Sequence, residues 1–473
     1  MKKNKSTLLG TENISSLLLK QAIPAAIGFF LMSINMVVDT IFVGKYIGNL
    51  AIGAVSIVTP IAFLMTSFGM AIGIGGASVV SRALGAQDKD KAQLAFNNQI
   101  SLAFIIVAIF TAVSFIFKDP ILNAFGAKGE LFSPASKYYL ITMIGVPFLS
   151  FAMTGNNNLR AEGKANQAMM ALLIPSLMNM LLDYIFIAQL DYGMEGAAWA
   201  TAISFISSGL FIILYFIFGD TELKIDPTLF GLKKQIVKEI ASIGMISILR
   251  QGGISLLMIA LNQMLLKYGE INGVGGENAV SIYGIVNRIA MIAFFPLIGI
   301  AQGLVPIAGY NYGAKKYDRV KEVINLSNLS GFVLGLLLCL SLLLNSSTIP
   351  KLFLNKEDYH LIPIASDAIF YVFMMSFLTV FQLVGASYYQ ALGKGIPALL
   401  LTLTKQVFFL LPFVLILPNF YGLKGIWYSF TIADVASAAV CFFFLRIGIN
   451  KMMKRWDNQP VEPQIELEEN LVD

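Results

Sequence analysis

Apolar runs long enough to cross a bilayer, about 20 residues each, follow one another along nearly the whole chain. Twelve can be delimited and numbered as spans 1 to 12: 16–44, 51–82, 91–117, 134–159, 165–189, 196–218, 236–268, 279–310, 320–344, 362–392, 397–417 and 425–449. Punctuation between them is polar or glycine-bearing. Ser133-Pro134 reads as an N-cap followed by Pro at the first helical position, and Gly126, Gly193, Gly275-Gly276 and Gly422 mark turns. The longest polar connection between spans, 220–234, falls at mid-chain. The pattern predicts an all-α polytopic membrane protein in five parts. These are an N-terminal tail (1–15), a first lobe of six helices (16–218), a linker (219–235), a second lobe of six helices (236–449) and a C-terminal tail (450–473). That last tail is acidic from Trp456, contains Pro460 and Pro463, and is expected to be disordered.

Composition agrees. The 473 residues are 57% hydrophobic and 13% charged, against about 25% charged in soluble domains. The net charge of +5 does not point to nucleic acid, because Lys and Arg are not gathered on one motif. Their distribution fits the positive-inside rule. With the N-terminus inside, the inner segments hold 21 of them, the outer connections 8, and 4 lie in or near spans. Both termini are therefore expected in the cytoplasm. Cys339 and Cys441 lie in apolar segments, so neither a disulfide framework nor metal-binding spacing is present. The single histidine, His360, sits in a polar connection.

The halves repeat. Gly53-Ala-Val-Ser-Ile57 resembles Asn278-Ala-Val-Ser-Ile282, Gly85-Ala86 resembles Gly313-Ala314, and Ala161-Glu-Gly-Lys164 resembles Ala391-Leu-Gly-Lys394. Tyr192-Gly193 resembles Tyr421-Gly422. All four matches keep their order at a nearly constant offset, close to half the length of the chain. Six spans per half is an even number, so both halves enter from the same side. They must be related by an axis along the membrane normal, as in parallel-repeat transporters with a central cavity.

Several polar residues lie where hydrocarbon would penalise them. A carboxylate at the centre of a span costs about 2.5–3.5 kcal/mol on insertion scales, and Asp39 sits in the run Ser33–Gly44. It is either a loop residue at the membrane surface or a group with a partner. Asp39, Asp183 and Thr201 stand 5, 6 and 5 residues from the outer ends of spans 1, 5 and 6, roughly 7–10 Å at helical rise. Asn35 and Asn179 stand one turn from Asp39 and Asp183, on the same faces. Three helices could bring these groups to one depth. Such an oxygen-rich cluster suits Na⁺, or two carboxylates close enough to share a proton. At the offset that pairs Gly163 with Gly393, Asn179 and Asp183 fall on Phe409 and Phe413, so the second lobe lacks the cluster. It carries Arg288, Lys405 and Asp434 instead. There Asp434 either pairs with Arg288 or Lys405, or faces the cavity.

The ordered set of motifs resembles the multidrug and toxic compound extrusion (MATE) transporters, and within them the prokaryotic DinF-like branch. It comprises Asp39-Thr40, Ser81-Arg-Ala-Leu-Gly-Ala86, Asn179 with Asp183, Tyr283-Gly284 with Asn287-Arg288, and Pro306–Ala314. The resemblance covers about residues 15 to 450. It implies a multi-pass protein of a prokaryotic cell membrane, acting as a monomer without a cofactor. It implies antiport of Na⁺ or H⁺ against lipophilic cations, with a cation site at the counterparts of Asp39, Asn179, Asp183 and Thr201. It adds Asn156 in span 4, although that residue stands near the far end of its span and fits the depth argument poorly. Two other classes remain. A lipid-linked precursor or polysaccharide flippase would favour 14 spans and a basic cavity. A membrane-embedded enzyme would need a His/Asp/Glu cluster or a nucleophile with its base, and no such spacing is found.

Overall fold

The computed structural model describes residues 5–354 and 356–457. Among them there is no strand, and twelve helical segments are long and apolar enough to cross a membrane. They run Ile14–Ile47, Leu50–Gly85, Lys89–Ile116, Gly129–Ala161, Ala165–Gln189, Gly193–Phe218, Lys234–Ile271, Gly276–Gly313, Tyr317–Leu344, Asp358–Ala391, Gly395–Tyr421 and Leu423–Lys454. Each matches a predicted span within a few residues. Span 4 departs from its expected cap: its α-helix starts at Phe132 after a 3-10 turn, before Ser133. The acidic tail expected to be disordered lies outside the described residues from position 458 on. Apolar side chains such as Phe104, Ile116, Leu337 and Phe443 are exposed on the outer faces, as a lipid solvent requires.

The repeat is visible in the backbone. Left-handed residues mark corresponding turns in the two lobes: Gln87 (φ 59°) and Lys315 (57°), Gly163 (78°) and Gly393 (75°), Gly193 (53°) and Gly422 (59°). A non-glycine residue rarely adopts this conformation, yet Gln87 and Lys315 both do, at equivalent turns.

The lobes meet at the end that carries the termini. Gly85 of span 2 and Gly313 of span 8 are repeat mates, and each abuts the other's helix. A Cβ on Gly85 would collide with the Tyr310 carbonyl oxygen, and one on Gly313 with that of Arg82. Span 2 meets span 7 the same way, through Gly75 against Ile240 and Gly244 against Ala71. Small residues let membrane helices approach this closely. Polar contacts seal the same end. Arg82 donates to the Ala391 carbonyl at 3.2 Å, Ser78 to the Gln390 carbonyl at 2.5 Å, and Glu239 of span 7 pairs with Lys91 at 3.4 Å.

Two segments read as simple connections are also built in. The N-terminal tail forms a short helix, Lys5–Leu8, and then docks on span 8 and the start of span 9. Asn311 and Lys316 donate to the Leu9 and Gly10 carbonyls at 2.8 Å each, and Arg319 donates to the Glu12 carbonyl. The mid-chain linker is strapped to the first lobe. Its backbone N–H groups at Asp226 and Lys233 donate to the side-chain oxygens of Asn97 and Asn98 at 2.9 and 2.7 Å. Those at Glu222 and Leu223 donate to Glu162.

Candidate functional site

Asp39 lies inside the helix Ile14–Phe42, not in a loop. Asp183 is the last residue of the α-helix Ala165–Asp183 and is fully buried. Both helices loosen into a π-helical turn just past the acid, at Val43–Ile47 and Tyr184–Gln189. Such turns are rare and often accompany functional positions. The two carboxyl groups come within hydrogen-bonding reach of each other.

Two amides form a chain to Asp183. The Asn35 side-chain amide donates to Asn179 Oδ1 at 2.7 Å and to the Ser176 carbonyl at 3.3 Å. Asn179 in turn donates to Asp183 Oδ1 at 3.4 Å. The oxygen of Asn179 is thus already used, and this amide orients Asp183 more than it offers a ligand. Asp39 Oδ1 and Asp183 Oδ2 are buried with no hydrogen-bond partner among the described residues. Buried carboxylate oxygens are rarely left so. Two acids in contact cannot both keep full charge in an apolar setting without a cation between them or a shared proton. The donor set, two carboxylate oxygens with nearby hydroxyls, fits either.

Thr201 joins through a residue the sequence reading did not single out. Tyr138 of span 4 is buried, its hydroxyl lies 3.1 Å from Thr201 Oγ1, and it stands within electrostatic range of both acids. Tyr138 is four residues after Pro134, about 6 Å into the span, the depth that picked out the other members. Asn156 is not brought to this cluster. It lies 18 residues further along span 4, about 27 Å away at helical rise. There it donates to the Ala168 carbonyl and accepts from Arg160 Nε at 3.2 Å.

In the second lobe, Asp434 pairs with Lys405 at 2.5 Å and not with Arg288. Thr379 donates to Asp434 at 3.0 Å and accepts from Lys405 at 3.1 Å. Span 10 is broken to supply that threonine: one helix ends at Phe373, a 3-10 turn spans Ser376–Leu378, and a new helix starts at Thr379. Asp434 is fully buried and Lys405 nearly so. Phe409 and Phe413, the repeat mates of Asn179 and Asp183, are half-buried and stacked with centroids 6.2 Å apart. Arg288 is exposed, one turn beyond Gly284, which faces open space.

Comparison with known proteins follows the same outline. The MatE family model matches twice, over residues 24–185 and 254–416, and the two matches start at the offset that pairs Gly163 with Gly393. A multidrug export protein MepA from Staphylococcus haemolyticus (strain JCSC1435) is 26% identical over 424 residues, covering 90% of this chain and 91% of that protein. A solved structure of a multidrug resistance MATE family transporter of the MOP superfamily, in an outward-facing conformation, is 27% identical. It superposes with a TM-score of 0.89 over 96% of this chain and 100% of the other. A crystal structure of MATE in complex with MaL6 matches equally, at 26% identity and a TM-score of 0.89 over the same shares.

Proposed function

Since the chain belongs to the MatE family, whose model covers both of its halves, we propose that it is an antiporter that exports amphipathic organic cations in exchange for Na⁺ or H⁺. One observation carries the reading. Two membrane-embedded acids, Asp39 and Asp183, face each other with an oxygen apiece left without a donor. A site of this kind gains from a cation or a proton, and only one lobe has it.

The geometry supports a division of roles. Asp39 and Asp183 receive the cation or proton. Asn35 and Asn179 form a chain that fixes the Asp183 carboxyl. Tyr138 and Thr201 supply hydroxyl oxygens at the rim. Neutralising the acids removes the repulsion across spans 1 and 5 and alters how span 1 lies against the cavity. Lipophilic cations compete for the same negative wall, so entry of the coupling ion drives their release. The closure at the end bearing the termini, assigned to the cytoplasm by the basic-residue bias, fits a conformation that takes ions from outside. The name of the MepA relative, a multidrug export protein, supports export of drug-like molecules here.

The test is efflux of a lipophilic cationic dye from proteoliposomes with imposed gradients. Efflux should follow a Na⁺ gradient at fixed pH or a pH gradient without Na⁺, and Asp39→Asn should lose it. Export by Asp39→Asn at the parent rate would refute the site.

A further inference from the structure

A second buried charge has no use in this scheme. Arg160, one residue before the cytoplasmic end of span 4, is 4% exposed. Its Nε donates to Asn156, but Nη1 and Nη2 are buried and have no acceptor among the described residues. The nearest acid in sequence, Glu162, is taken by Lys164 at 2.6 Å and by the backbone N–H groups of Glu222 and Leu223. Glu239, the acid at the lobe junction, is paired with Lys91 and with Arg82. A guanidinium does not deprotonate to relieve its burial.

Arg160 lines a small, partly open cavity of about 10 Å³ between the lobes, with room for one small group beside the guanidinium. Six of its nine lining residues form repeat pairs. Ile74 and Ala77 of span 2 face it with their mates Gln302 and Val305 of span 8, at the offset that pairs Gly85 with Gly313. Arg160 faces it with its mate Gln390, at the offset that pairs Gly163 with Gly393. The cavity therefore sits on the axis relating the lobes, at the depth where they close. Its charge is not symmetric: the first lobe gives a cation, Arg160, beside the Asn157 amide, and the second gives only neutral amides as polar groups. Paired η nitrogens suit a halide or one end of a carboxylate, and amide N–H groups of Gln302 and Gln390 can complete the shell.

We propose that this cavity binds a small monovalent anion, chloride or one oxygen end of acetate, between Arg160 of one lobe and Gln302 and Gln390 of the other. The anion neutralises Arg160 only while the lobes are together. Separation of the lobes at this end parts Arg160 from the two glutamines and admits water to it. An anion that binds the joined state better shifts the population toward it, so the site favours the conformation closed at the cytoplasmic end.

The experiment is thermal unfolding of the purified full chain in sodium chloride, sodium acetate or sodium gluconate at equal concentration and pH. In the parent, chloride, acetate or both should raise the melting temperature saturably above gluconate, and the responding salt identifies the ligand. Arg160→Gln should flatten the response. Gln390→Glu puts a tethered carboxylate on the facing wall and should also abolish it, while melting in gluconate no lower than the parent. This second variant decides the matter if Arg160→Gln does not fold. Single-molecule FRET across the cytoplasmic connections should report a larger closed population in the responding salt. Superimposable melting curves in the three salts, a full response in either variant, or an unchanged closed population would overturn the proposal.

Discussion

The two lobes share one backbone plan and differ in what they do with buried charge. In the first, two acids meet with spare oxygens, one of them tied to an amide chain from spans 1 and 5. In the second, one acid is matched by one lysine and one threonine, and aromatic rings fill the positions equivalent to Asn179 and Asp183. Like charges in contact need something from outside, whereas a paired acid and base are complete. On the function proposed above, the same fold yields one lobe that takes up a cation or proton and another whose buried acid already has its base. Lys405 supplies the charge that the first lobe would import.

Substitutions at five positions probe this contrast between the lobes. Asp183→Asn removes a charged acceptor of nearly the same shape. It should lower gradient-driven efflux roughly ten- to hundredfold, as expected for losing charge-assisted contacts of about 1.5–3 kcal/mol, with little change in melting temperature. Lys405→Met does the reverse. It strands Asp434 and should destabilise the protein by about 3–5 kcal/mol, read by thermal unfolding. The double change Lys405→Met with Asp434→Leu should restore most of that stability, because a buried pair replaced by apolar groups of similar volume is often neutral. Tyr138→Phe deletes one hydroxyl at the rim of the acid cluster. It should weaken the coupling cation about fivefold, near 1 kcal/mol, measured as the cation concentration giving half-maximal efflux. Asn156→Ala should leave that concentration unchanged, because its contacts are with Ala168 and Arg160.

Much of this was legible in the sequence because a helix converts residue count into depth. Counting from span ends brought Asp39, Asp183, Asn179, Asn35 and Thr201 to one level, and the structure joins the two acids and the two amides directly. Thr201 needed Tyr138 as its link. The same count from Pro134 would have found Tyr138, but a tyrosine near the end of an apolar span looks like an interfacial aromatic. The partner of Asp434 stayed open because Thr379 takes its position from a helix break at Met374–Leu378, where no Gly or Pro announces one. Arg160 counted simply as an inner positive charge. Its burial depends on how tightly spans 2, 4, 8 and 10 close, and no local pattern carries that. The docked N-terminal tail and strapped linker escaped for a similar reason: their partners, Asn311, Arg319, Asn97 and Asn98, are more than 100 residues away in sequence.

The asymmetry between the lobes is tested most directly by dye efflux from proteoliposomes bearing the parent, Asp183→Asn, or the Lys405→Met/Asp434→Leu double variant. Each is driven by a Na⁺ gradient at fixed pH and by a pH gradient without Na⁺. The account predicts that the double variant keeps the parent's response to whichever gradient drives it, and that Asp183→Asn loses it. Coupling that survives in Asp183→Asn, or that disappears with the Lys405–Asp434 pair while the protein remains folded, would contradict it.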